Sequence, residues 1–147
     1  MLFNCSGSFL IIMNILKFIV SMNLKKKKNL SDRVVEFVLN CSPDDFQNLT
    51  VTKIASTFHV NRCYLSRRFK SDKAFTLCEF LIREKLSRSV VLLRENDQIS
   101  IQDLSSKMGF SNTNYFIQIF KNYYGAPPGR YREYISKGNI SHNPKSV

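Results

Sequence analysis

An all-α fold of two helix-turn-helix units joined by a long linker helix is what this sequence predicts. Three observations carry the prediction. From Leu30 onward, apolar residues recur at the spacing of buried helix faces. Five Gly and four Pro in 147 residues leave room for long helices and few loops. Above all, the second half repeats the first. Ile54 and Leu104 stand 50 apart; after the turns the offset becomes 51, pairing Leu65 with Phe116, Phe69 with Phe120 and Lys70 with Lys121.

Seven helices follow in order. The first starts at Leu30 with Ser31 as its predicted N-cap; Val34, Phe37, Val38 and Cys41 form its buried stripe, and Ser42-Pro43-Asp44-Asp45 breaks it. Thr50 caps a short helix over 51–58, with Val51, Ile54 and Ala55 inside. A turn at His59-Val60-Asn61 leads into a helix over 62–71. The linker helix, over 77–94, is rich in Leu, Ile and Val and ends at Asn96-Asp97-Gln98. Then the pattern starts again. Ser100, with Asp103 three residues on, opens a short helix to Met108 with Ile101, Leu104 and Ser105 inside. Gly109-Phe110-Ser111 is the turn, and 112–124 is the next helix. Gly125 stands where a left-handed C-cap is needed. Pro127 opens a last helix through Tyr134, because proline is tolerated in a first turn. The folded unit is therefore expected over 30–136, with a disordered tail over 137–147.

Lys and Arg number 22 against 11 acidic residues, a net charge of +11. That surplus favours phosphate or an anionic membrane as partner and says nothing about fold. With 44% apolar residues, 12 Phe and 6 Tyr, the chain can bury a core, which a basic disordered tail cannot. Cysteines stand at 5, 41, 63 and 78 with no CxxC pair, and His59 and His142 are far apart, so no metal site is expected. Scattered cysteines suit a reducing cytosol. The sequence holds no paired-carboxylate cleft, nucleophile with a base, or phosphate loop. Neither an enzyme nor a cofactor is expected.

Residues 1–29 form a separate segment. Residues 9–20 (FLIIMNILKFIV) are apolar except for Asn14 and Lys17, and four lysines follow at 25–28. A secretory signal would carry its charge before the apolar run and a small-residue cleavage site after it. Three readings stay open: a packing or oligomerising segment, or a remnant of an upstream domain; a start placed too early, with Met13 or Met22 the true one; or a membrane anchor over 1–22, close to the roughly 20 residues a span requires.

The second helix of each unit has two faces. In the later copy Tyr115, Phe116, Ile119, Phe120 and Tyr123 read as a buried stripe, leaving Thr113, Asn114, Ile117, Gln118 and Lys121 outward. In the earlier copy Arg62, Cys63, Ser66, Arg67 and Lys70 face outward, with Leu65 and Phe69 behind. A helix fits the major groove, where Arg67 suits guanine O6 and N7 while Asn114 and Gln118 suit adenine N6 and N7. Lys70 and Lys121 suit phosphate, which fixes register and carries little sequence information. The plain alternative is a solvated polar surface. Two outward faces repeating at one offset, the first with Arg62, Arg67, Arg68 and Lys70 within nine residues, favour DNA.

The residues ending GFSNTNYFIQIFKNYYGAPPGRYR resemble the second half of the AraC-family DNA-binding domain, and VNRCYLSRRFK (60–70) resembles its first recognition helix. The resemblance covers residues 31–134. It implies seven helices, two recognition helices about one DNA turn apart, and base reading by Cys63, Ser66 and Arg67 and by Thr113, Asn114, Ile117 and Gln118. Arg62 is added from its place on the outward face. The first copy departs from the family pattern: His59 and Ala74 replace glycines, and Arg68 stands where an apolar residue is usual. The resemblance further implies a transcription regulator of the bacterial cytosol and nucleoid, an activator contacting RNA polymerase. It is similar to the short stand-alone members, monomers or weak dimers, or else is a fragment of a longer regulator. A non-specific architectural binder and a membrane-tethered regulator are the competing expectations.

Overall fold

A computed structural model of the chain describes residues 28–137. The apolar run at 9–20, Lys25 and the tail beyond Lys137 lie outside the described residues. Among those described there are eight α-helices and no strand: α1 (Leu30–Leu39), α2 (Pro43–Gln47), α3 (Val51–Thr57), α4 (Arg62–Lys73), α5 (Leu77–Glu95), α6 (Ile101–Lys107), α7 (Thr113–Tyr124) and α8 (Pro128–Ser136).

The core comes in two pieces threaded by one helix. The first gathers Val34, Val38, Phe46, Ile54, Leu65 and Phe69 around the N-terminal half of α5, which contributes Leu77 and Leu81. The second gathers Leu104, Phe116, Phe120, Tyr124 and Tyr131 around the C-terminal half, which contributes Leu86, Val90 and Leu93. With 19 residues, α5 is about 28 Å long at roughly 1.5 Å per residue. Its start is fixed by a capping box: Thr76 Oγ1 accepts from the Glu79 N–H while the Glu79 carboxylate accepts from the Thr76 N–H.

The repeat extends into the turns. In the first unit the N–H of His59 bonds to the carbonyl of Ser56 and that of Val60 to the carbonyl of Ala55. In the second, the N–H of Gly109 bonds to the carbonyl of Ser106 and that of Phe110 to the carbonyl of Ser105. Both are the paired hydrogen bonds of a Schellman turn, and both need a left-handed residue, supplied by His59 at φ 52° and Gly109 at φ 69°. The recognition helices close alike, on Ala74 at φ 64° and Gly125 at φ 81°. Gly109 has a second reason to be glycine. A Cβ there would lie 1.9 Å from the Gln47 carbonyl oxygen, because α2 packs against this turn.

Four expectations need correction. The segment at Ser42-Pro43 is not a plain break. Ser42 caps α2 by accepting from the Asp45 N–H, and Pro43 occupies the first turn, where its missing N–H costs nothing. That is the eighth helix, where seven were expected. The cap of α1 is Asn29, accepting from the Asp32 N–H, while Ser31 is fully buried and donates to Asp72 on α4. Tyr115 is not core but half exposed, whereas Tyr124 is buried in its place, and burial pushes the Tyr124 phenol well above its ordinary pKa. The last helix begins one residue later than expected, with Pro127 as its cap.

Polar side chains lock the pieces together. Arg88 on α5 donates to the carbonyls of Val38, Leu39 and Cys41 at the end of α1 and stacks its guanidinium 3.9 Å from the centre of the Phe46 ring. Lys85, one turn earlier, donates to the Gly109 carbonyl at 3.1 Å and lies over the Phe110 ring. Its burial pushes the ammonium pKa down. Arg132 on α8 donates to the carbonyls of Asp97 and Ile99, holding the loop that restarts the pattern.

Candidate nucleic-acid interface

Each unit presents its second helix on a prepared N-terminus. Asn61 Oδ1 accepts from the N–H groups of Cys63 and Tyr64 at 2.8 and 3.3 Å, and Asn112 Oδ1 accepts from that of Tyr115 at 3.0 Å. These caps satisfy donors that the first turn leaves open. On the inner side, Leu65 and Phe69 of α4 and Phe116 and Phe120 of α7 are fully buried. Each helix is thereby held from behind with its other side free.

The predicted site residues fall on that free side. On α4, Arg62, Cys63, Arg67 and Lys70 are exposed and Ser66 is half-buried. On α7, Asn114, Gln118 and Lys121 are exposed, Thr113 is half-buried, and Ile117 is partly buried against the second core. The structure brings each set onto one helix face.

Charge differs sharply between the two faces. Among the described residues, Arg68 pairs with Asp72 on its own helix at 3.1 Å, and Lys73 pairs with Asp32 of α1 at 2.6 Å. The Lys73 ion pair holds the Asp32 carboxyl below its ordinary pKa. Arg62, Arg67 and Lys70 make no ion pair among the described residues, so the outward cations of α4 remain available. On α7 the only cation is Lys121, and the centre of the face is amide. A cationic face suits phosphate and guanine; an amide face suits adenine.

Periodicity missed two exposed residues. Tyr64 and Tyr115 stand 54% and 49% exposed at equivalent positions of α4 and α7. The signal was available in the 51-residue offset, which puts a tyrosine third in both helices. Among the described residues, no helix is long and apolar enough to cross a membrane, and no cluster of three or more His, Cys, Asp or Glu could hold a metal ion. Cys41, Cys63 and Cys78 are free thiols.

Comparison with known proteins agrees with this geometry. A family model described as a helix-turn-helix domain matches residues 54–134, more than half of the chain. The chain is 34% identical over 88 residues to the Msm operon regulatory protein of Streptococcus mutans, covering 60% of this chain and 31% of that one. It is 28% identical over 119 residues to the transcriptional activator AggR of Escherichia coli, covering 81% and 43%. The chain thus spans less than half the length of these two relatives. Among solved structures, the DNA-binding domain of AdpA in complex with a target DNA superposes with a TM-score of 0.62 at 20% identity, covering 75% of this chain and 96% of that one. With its two helix-turn-helix units on one linker helix, the chain belongs to the AraC family of DNA-binding transcription regulators.

Proposed function

We propose that residues 30–136 form a sequence-specific reader of double-stranded DNA that places α4 and α7 in two successive major-groove segments. The observation that carries this reading is the repetition of one exposed face on two capped helices, each fixed from behind by its own core and both by α5. In this reading Arg62, Cys63, Ser66 and Arg67 meet bases in one segment, with Arg67 set for a guanine. Thr113, Asn114, Ile117 and Gln118 meet bases in the other, with Asn114 and Gln118 set for adenines. Lys70 and Lys121 bind phosphate.

The biological act follows from DNA reading. A monomer bound beside a promoter would regulate transcription; the name of the relative, transcriptional activator AggR, supports activation, and contact with RNA polymerase is the route by which we propose it acts. The test is selection from a randomised duplex pool by the full chain, followed by affinity for the enriched and a scrambled duplex at one salt concentration. A specificity ratio of about 10³ or more is expected. A ratio near one would make the protein a non-specific or architectural binder. Adding RNA polymerase to a template carrying the enriched site should then raise transcript yield; a fall would assign repression instead.

A further inference from the structure

Both reading helices expose a tyrosine at the same place. Single exposed apolar residues are ordinary and need no explanation. The same large side chain left about half open at equivalent positions of two otherwise divergent copies does need one. Tyr64 and Tyr115 are each third in their helix, each with its N–H held by the capping asparagine.

Helix geometry says where they point. At about 100° per residue, the axis opposite Leu65 and Phe69 is occupied by Cys63 and Arg67, and Tyr64 stands roughly 60° to one side of it. Tyr115 bears the same relation to Asn114 and Gln118. A helix lodged in a major groove about 12 Å wide meets base edges along its outward axis and sugar–phosphate backbone along its flanks. Tyrosine hydroxyls are among the groups that bind phosphate oxygens there. The surroundings fit. Tyr64, Arg67 and Arg68 line one surface groove of about 370 Å³, in which the Arg67 guanidinium makes no ion pair among the described residues while that of Arg68 is held by Asp72. Tyr115 has its ring steadied by Phe110, with centroids 6.3 Å apart.

We propose that Tyr64 and Tyr115 are a matched pair of DNA-backbone contacts, each donating its hydroxyl to a phosphate on the flank of its groove. This rests on the two-helix reading above. The test uses the full chain, with Y64F, Y115F and the double variant, on the duplex enriched by the unaltered chain and on its scrambled version at two salt concentrations. Each single change should weaken binding to both duplexes about threefold to tenfold, and the double by the product. The ratio between duplexes stays constant. The salt slope also stays constant, because no charge is removed, and so does the melting midpoint. Unchanged affinity in the double variant, or a loss confined to the enriched duplex, overturns the backbone assignment while the two-helix reading stands. Failure of the unaltered chain to enrich any duplex overturns both.

Discussion

His59 and Gly109 end the same turn with different residues, and the difference is measurable. Both adopt the left-handed conformation, which costs a residue with a Cβ about 1–2 kcal/mol. His59→Gly and Ala74→Gly should therefore each raise the stability of the first unit by about 1 kcal/mol, seen as a higher melting midpoint. Gly109→Ala should cost at least about 1–2 kcal/mol, with overlap on the Gln47 carbonyl added. A neutral Gly109→Ala would mean that α2 does not press on this turn. On the outward face, Arg67→Ala should weaken binding to the enriched duplex by about 1–3 kcal/mol and relax preference at one base pair. Equal losses on enriched and scrambled DNA would reduce Arg67 to a phosphate contact. At this scale the sequence was readable wherever side-chain chemistry and local position agreed: Thr50 and Ser100 cap as their types suggest. It misled at Ser31, whose hydroxyl serves Asp72, a partner 41 residues away that no local pattern reveals.

The elements were legible because their buried faces repeat at helical spacing and their ends carry capping residues. Phe69 and Phe120 sit at matching places in the two cores, each fully buried among other rings. Either change to Ala should cost about 3–5 kcal/mol, lowering the melting midpoint and with it DNA binding. An unchanged midpoint would show that the inner face has been misassigned. The stripe on α7 came out partly wrong for a physical reason. The core runs through Phe116, Phe120 and Tyr124 at strict four-residue steps, so it is narrower than a count of aromatics suggests. That leaves Tyr115 outside and brings Tyr124 in. The short helix α2 was hidden because proline breaks a helix in the interior but starts one at the first turn.

For the whole molecule, one spine serves two cores, so the spacing of the reading faces is built into α5. Lys85 and Arg88, one turn apart on that spine, tie it to the second turn and the first helix respectively. These long-range ties could not be read from the sequence, since nothing local marks a lysine or arginine as a brace. Removing residues 1–29 should leave the enriched-to-scrambled ratio intact, since the eight helices of the described residues lie downstream. Taking away lysines 25–28 should flatten the salt dependence by up to about 0.9 for each phosphate they neutralise. Collapse of binding to the enriched duplex alone would instead make that segment a reading or dimerising element. The central claim, that α4 and α7 read separate stretches of one duplex, is met most directly by scanning every base-pair substitution in the enriched site against Arg67→Ala and Gln118→Ala. The expected result is two separate blocks of lost preference, one for each variant, centred about 10 base pairs apart. Relaxation of the same positions by both variants, or a uniform loss across the site, would contradict it.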